Sequence, residues 1–442
     1  MTHEADAIAS VVLEEFNRLS SKRKPCVRDN GVHEWVPLSG IVAKGPGSMK
    51  CVALATGMKC LPASKLSQAN GVALHDWHAE VLALRAFNCF ILQECRRLAD
   101  GKSSSPSSSK FLRRRTDAEL EDSKIHDNKD WNSKPFTWRE DVTLHMYCSE
   151  APCGDASMEL IMAAQDDASP WESPTPATTT TSDYPSPEEE PSLLGRGFFS
   201  QLGIVRRKPS RGDAPPSLSK SCSDKIALKQ ATSPLSSLTS LLVSPKNLYL
   251  TTLILPESQY SLEGCQRCFS PSSSEGGRMA PLANQTWRDS DYAFTPFSIE
   301  TTGIEFYFSK RAVGARIEGT TTGVKMGASN LAVAWTGDKL VEEGLIGGVL
   351  QGRKHFDQKG ASAVSRWRMW KLAAEVASLL SVDEGRDAAS EISQVLLADK
   401  TYDEVKESGL LATRRAVKEE ARRDALKGWV RNKGDGSFRL SS

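Results

Sequence analysis

The sequence predicts an α/β fold with a helical layer and a helical C-terminal extension, on three observations. A strand pattern is followed by a helix pattern twice in the first half, apolar runs of strand length recur later, and the tail from Tyr402 to Asn432 is a long charged helical segment or pair. Met1 to Leu19 opens as a short amphipathic helix, with Ile8, Val12, Leu13, Phe16 and Leu19 at helical spacing. Trp35 to Ala55 reads as two strands around a turn at Lys44-Gly45-Pro46-Gly47, with apolar Ile41, Val42, Cys51, Val52 and Leu54. His78 to Cys95 is a helix whose stripe includes Val81, Leu82, Phe87, Phe90 and Ile91. Val142, Leu144, Met146 and Cys148 alternate with Thr143, His145 and Tyr147 in a strand ending near Ser149, and Cys153 to Ala164 follows as a helix. Leu248 to Leu255 is another strand, ended by Pro256.

Two stretches break this order inside what reads as one domain over residues 1–442. Residues 101–140 begin with a Ser-rich run and continue as mixed charge, and residues 166–190 are rich in Pro, Thr and Glu. Both compositions resist packing and predict flexible insertions.

Composition limits the partners. The 442 residues are 39 % hydrophobic, enough for a substantial core. Lys and Arg total 56 against 55 Asp and Glu, so any nucleic-acid surface must be a local patch. No apolar run is long enough to span a bilayer, and the first residues lack the pattern of a signal peptide. An intracellular protein is expected, nuclear or cytoplasmic, with no membrane association and no obligate protein partner evident. In a reducing compartment the 10 cysteines point to metal binding or burial instead of a disulfide framework.

The chemistry centres on His78-Ala79-Glu80 and Pro152-Cys153-Gly154-Asp155. A His and a Cys, each opening a helix, can meet at one cation. Glu80, two residues beyond the His, can sit beside the metal without ligating it, as in zinc deaminases, where such a Glu moves protons. The bland alternative makes His78 and Cys153 plain core residues. The usual second Cys, three positions after the first, is replaced by Ala156. A third ligand must come from Cys148, Cys222 or the pair Cys265 and Cys268. Cys148 lies on the apolar face of its strand, and Cys265-x-x-Cys268 lacks a second pair to complete a four-ligand site. Cys222 stands in the polar run Ser221-Cys222-Ser223-Asp224-Lys225, where hydroxyls suit a thiolate.

These three motifs together resemble the adenosine deaminases acting on RNA, most closely the eukaryotic tRNA-specific branch. Ala55-Thr56-Gly57-Met58-Lys59-Cys60, Arg207 to Ala214, Ser329-Asn330 to Trp335 and Tyr402 to Trp429 extend the resemblance over nearly the whole chain outside the insertions. It implies a cytidine-deaminase-like mixed sheet with flanking helices. It also implies zinc on His78, Cys153 and Cys222, a proton-shuttling Glu80, and hydrolytic conversion of adenosine to inosine in tRNA. The expected position is the adenosine just 3′ of the anticodon of the alanine tRNA. Thr56, Lys59 and Arg211 match positions near the substrate. Arg206, Arg207, Lys208, Arg211, Lys220 and Lys225 form a basic segment able to follow an RNA backbone, unless it is simply a solvated loop.

The family also buries an inositol hexakisphosphate. Matching positions here are Arg85, Lys225, Arg366, Lys406, Arg414, Lys418, Lys427 and Trp429. A buried anion would account for so basic a tail near a core, because clustered cations need a counter-charge. Leu84, Leu228 and Lys229 depart from the family pattern, and an exposed helix with i,i+4 pairs is the plainer reading of the tail. Two other functions compete: editing of double-stranded RNA, and a zinc-stabilised RNA-binding subunit without catalysis. The deaminase-like strands begin near Trp35 and leave no room before His78 for a double-strand-binding domain, and an unligated Glu80 has no use in a purely structural site.

Overall fold

A computed structural model describes residues 2–100, 109–125, 134–164, 193–194, 201–208, 214–287, 290–318, 324–384 and 387–441. Its frame is an eight-stranded mixed sheet. In chain order the strands are β1 (Leu38–Gly45), β2 (Ser48–Thr56), β3 (Thr143–Cys148), β4 (Leu250–Pro256), β5 (Ser298–Thr302), β6 (Ala332–Thr336), β7 (Glu342–Ile346) and β8 (Val349–Leu350). Across the sheet they run β5-β4-β3-β1-β2-β6-β7-β8. The strands β5, β4 and β3 are parallel; every later pairing is antiparallel.

Period-two patterning gives the sheet two apolar faces. Ile41, Val52, Ala53, Met146 and Leu253 face one core, and Leu38, Val42, Leu54, Tyr147 and Ile254 face the other. Helix α1 (Thr2–Arg18) closes the second face with Ala5, Ile8, Val12 and Phe16. Helix α2 (Ala79–Ala99) lies across β1, β2 and β6 on the first face. It is buried along most of its length, as the central helix of an α/β layer must be. Helix α3 (Cys222–Thr232), helix α4 (Leu262–Phe269), helix α5 (Lys310–Glu318), helix α6 (Arg366–Glu384) and helix α7 (Ala412–Asp424) complete the frame, with α6 packed on α2 and α7 on α3. No helix among the described residues is long and apolar enough to cross a membrane.

Two sequence expectations change. Within 101–140, expected to be a flexible insertion, Leu112–Arg114 and Phe136–Trp138 pair with each other, and Phe136–Trp138 also pairs with Val243–Ser244. Leu112, Phe136 and Trp138 are buried beside Phe87 and Phe90, so these few large side chains overrule a polar average composition. The helix expected from Cys153 begins only at Met158, after a single 3-10 turn. Residues 166–190 lie outside the described residues.

Candidate metal centre and the charges around it

Three local devices bring His78, Cys153 and Cys222 together. His78 is the N-cap of α2, and the Ala79 N–H donates to the Gly57 carbonyl at 2.8 Å, which docks this helix start on the end of β2. Gly57 has φ +139°, and a Cβ there would stand 2.2 Å from the Trp77 carbonyl oxygen, so only glycine permits the approach. Cys153 follows β3, where Ser149 exchanges hydrogen bonds with Leu38 of β1. Cys222 opens α3 behind its cap, Ser221, whose Oγ accepts the Asp224 N–H at 3.1 Å. The two cysteine loops then lock. Ser223 donates to the Pro152 and Cys153 carbonyls, and Gly154, at φ +110°, lies against Ser221, where a Cβ would come 2.3 Å from the hydroxyl oxygen.

The ligand atoms of His78, Cys153 and Cys222 all lie within 4.8 Å of one another, with Cys153 Sγ 3.8 Å from His78 Nδ1. A tetrahedral zinc holds such donors about 3.5–3.8 Å apart, so this donor set fits zinc after a small closing. Among the described residues no other such group occurs. Cys148 accepts from Ser39 in the buried sheet, and Cys268 accepts from Arg278 at 3.0 Å; neither joins the cluster, nor does buried Cys265. Glu80 is 5 % exposed. Burial, and then the charge of Cys153, push its carboxyl above the usual range.

Behind the sulfurs lies a charged layer that the motifs did not announce. Lys208 donates to Cys222 Sγ at 3.2 Å and to Asp76 Oδ2 at 2.8 Å. The same oxygen accepts from Ser219 at 2.6 Å and from Lys225, while Asp76 Oδ1 accepts the His78 N–H at 3.0 Å. Burial alone would raise Asp76, but Lys208 and Lys225 outweigh it and hold the carboxyl well below its usual range. Burial likewise opposes the Lys208 ammonium, and Asp76 with the two thiols keeps it charged. The basic segment expected to track an RNA backbone is thus largely turned inward: Arg206, Lys208 and Lys220 are buried. Each has an interior carboxylate, sulfur or carbonyl in reach, whereas a backbone-tracking stripe must face water. Arg211 lies outside the described residues.

The other expected residues sort as follows. Lys59 is exposed and donates to Asn330 Oδ1. Thr56 is buried and its Oγ1 accepts the Val333 N–H at 3.1 Å, so it serves the β2–β6 seam. Lys406, Arg414 and Lys418 converge. Burial first, and then Arg422, Arg414 and Lys406, push Lys418 well below its usual range. Arg414 reaches the Thr232 and Leu235 carbonyls at 2.7 and 2.6 Å. Lys229, which departs from the family pattern, shares the Leu235 carbonyl and is depressed by burial and then by Arg414 and Lys418. On one side the cluster continues through Tyr402, which carries Lys406 and Arg366 near its ring, to Arg85, pushed down to about 10 by burial and Arg366. On the other it continues through Trp429, flanked by Arg422 and Lys220, to Lys225 and Asp76. Burial and Lys225 bring Lys220 down to about 7. Lys427 is exposed and stands outside this ring, because it lies beyond the buried face of α7. Carbonyls satisfy the donors of Arg85, Lys229 and Arg414 without cancelling their charge, and Lys418 forms no ion pair among the described residues, so the donor set fits a buried polyanion.

The sequence is similar to those of known proteins. The sequence model of the adenosine-deaminase (editase) domain covers residues 53–433. A tRNA-specific adenosine deaminase 1 of Schizosaccharomyces pombe is 35 % identical over 433 residues, which is 97 % of this chain and 95 % of the relative. Its Saccharomyces cerevisiae namesake is 32 % identical over 58 % of this chain and 61 % of its own length. A double-stranded RNA-specific editase of Drosophila melanogaster is 26 % identical, over only 34 % of that protein. With the fold, the ligand cluster and Glu80 in one place, the chain belongs to the adenosine-deaminase (editase) domain family.

Proposed function

We propose that this chain hydrolyses adenosine to inosine in a tRNA, at the adenosine just 3′ of the anticodon of the alanine tRNA. The observation that carries the tRNA reading is the end-to-end correspondence with the fission-yeast tRNA deaminase; the double-stranded RNA editase overlaps over about a third of its length. Glu80 beside the ligand cluster favours an enzyme over a non-catalytic RNA-binding subunit.

His78, Cys153 and Cys222 would hold zinc, which would supply Lewis-acid activation of a water at neutral pH. Glu80 takes the proton of the attacking water on its carboxylate and passes protons to ring N1 and to the departing N6. The C6–O bond forms, the C6–N6 bond breaks, and adenosine and water become inosine and ammonia. A loop adenosine reaches such a site at lower cost than a stacked duplex base. Lys59, exposed near the start of α2, is assigned to the substrate, and Arg211 is retained with it. Arg85, Lys225, Arg366, Lys406, Arg414, Lys418 and Trp429, joined by Lys220, Lys229 and Arg422, would surround inositol hexakisphosphate, whose charge would answer Lys418, Lys229 and Lys220, while Arg366, Lys225, Lys406 and Arg422 also have carboxylate partners.

The test uses tRNA transcripts, metal analysis and phosphorus analysis of the purified protein. Glu80→Gln should keep zinc and fold while single-turnover deamination falls about 10²–10⁴-fold. Cys222→Ala should lose zinc, and a Cys265→Ala/Cys268→Ala double variant should keep it. Near-normal activity in the first or full zinc in the second overturns the assignment. A protein free of phosphorus overturns the polyanion.

A further inference from the structure

Tyr307 is 60 % exposed, unusual for a large aromatic side chain, yet it is held in place. Arg316 of α5 lays its guanidinium 3.7 Å from the Tyr307 ring centroid, and Arg316 Nη1 donates to the Tyr307 carbonyl at 2.6 Å. Phe308 meets the same ring edge-on at 4.9 Å. The cation is therefore fixed against the ring before any partner arrives.

The segment is tied to the metal centre along two routes. Glu150, three residues before Cys153, accepts the Lys310 N–H at 2.9 Å. Burial raises the Glu150 carboxyl to about 7, and the nearby charges of Glu305 and Glu80 push it the same way. Along the second route, the Val36 N–H donates to the Phe308 carbonyl, and the strand His33–Trp35 pairs with Met326–Ala328, both touching α5. That pairing leads directly to Ser329 and Asn330, the partner of Lys59. Beneath, Phe306 and Phe308 pack on Phe16 of α1 at 4.9 and 5.9 Å. The surface beside Tyr307 carries exposed Lys310 and Arg311, the latter paired with Glu305 at 2.6 Å.

We propose that Tyr307, backed by Arg316, is a stacking platform for an unpaired base of the RNA substrate flanking the target adenosine, with Lys310 meeting the adjacent phosphate. An exposed ring bordered by cations matches how single-stranded RNA is held, by base stacking on aromatic or guanidinium planes and by backbone charge. A protein partner fits less well, because lysine is depleted in protein interfaces. The inference rests on the RNA-substrate reading above, and it adds a contact residue outside the metal centre.

The zinc-loaded protein is titrated into an end-labelled hairpin RNA with an unpaired loop, read by fluorescence anisotropy, and assayed for inosine on tRNA. Tyr307→Ala should weaken binding about 5- to 100-fold and lower kcat/KM alike, with kcat at saturation, zinc content and melting temperature unchanged. Tyr307→Trp should restore affinity to within a few-fold, and Lys310→Met should reduce the salt slope by about one. Unchanged affinity in Tyr307→Ala, or no rescue by Trp, overturns the platform. Anisotropy needs no chemistry: a wild-type protein that binds the hairpin but makes no inosine defeats the functional reading while the platform is still judged. A wild-type protein that binds no RNA defeats both.

Discussion

Replacing Asp76 by Asn removes the carboxylate shared by Lys208 and Lys225, leaving Lys208 with the Cys222 and Cys153 sulfurs as charge partners nearby. The Asp76 carboxylate accepts hydrogen bonds from Lys208, Lys225, Ser219 and the His78 backbone. Asn keeps the volume but turns a neutral amide toward two ammonium groups. Lys208 and Asp76 have side chains 4 % exposed each, so Lys208 has no route to water. Breaking one side of such a buried pair costs about 3–5 kcal/mol. Lys225, 22 % exposed, can turn outward, and its loss adds at most about 1 kcal/mol. The expected destabilisation is therefore about 3–6 kcal/mol, read as a fall in the urea midpoint of the zinc-loaded protein. An Asp76→Asn/Lys208→Met double variant removes the stranded charge and should recover part of the loss. The double-mutant cycle should give a coupling above about 1 kcal/mol. A midpoint for Asp76→Asn equal to wild type, or strictly additive effects, would refute the reasoning.

Two further outcomes follow from groups that are not metal ligands. Lys418→Met separates a filled cationic ring from an empty one by sign. With a bound polyanion, losing a ligand lowers the melting temperature and the phosphorus content; without one, relieving the repulsion from Arg422, Arg414 and Lys406 raises the melting temperature. His75 gives a pH dependence. Burial first, then Arg366, depress it from 6.5 to about 4, while its Nε2 lies 2.6 Å from Asp435. Because the folded pKa is the lower one, the folded state binds fewer protons. Stability is complete above about pH 6.5 and falls as pH drops toward 4, by about 3 kcal/mol in all. His75→Gln should flatten that part of the stability curve, measured by urea unfolding between pH 4 and 7 relative to wild type, and an unchanged slope would remove His75 as the cause.

How much was legible in the sequence depends on whether the signal was local. Val142 to Ser149 and Leu248 to Leu255 announced β3 and β4 within two residues, because alternation and a closing proline are local facts. Ser221, two residues ahead of Ser223 and three ahead of Asp224, is a capping signal, so the start of α3 and the setting of Cys222 could be read. Phe136 and Trp138 were misread because two apolar residues carry no period of their own; only pairing with Leu112–Arg114 and Val243–Ser244 makes them a strand. Asp76 and Lys208 are 132 positions apart, and nothing near either names the other. Lys208 looked like part of a solvent-facing basic run until the loop closed over Cys222. Lys229 was set aside for departing from a pattern, yet its place one turn beyond Lys225 on α3 was a usable signal, since i and i+4 share a helix face.

The position of β1 has a practical consequence. This strand lies between β2 and β3, near the middle of the sheet, and α1 covers the face where Leu38 and Val42 emerge. Both precede residue 53, where the match to the family begins, and residue 53 itself falls inside β2. A fragment trimmed to the matched stretch would lose its central strand along with the helix above it. Its sheet would fall into two pieces, each with a raw edge, and Tyr147, Ile254 and Val333 would meet water. The smallest piece able to fold is therefore larger than the stretch the family model matches, and expression trials should start ahead of Ile8.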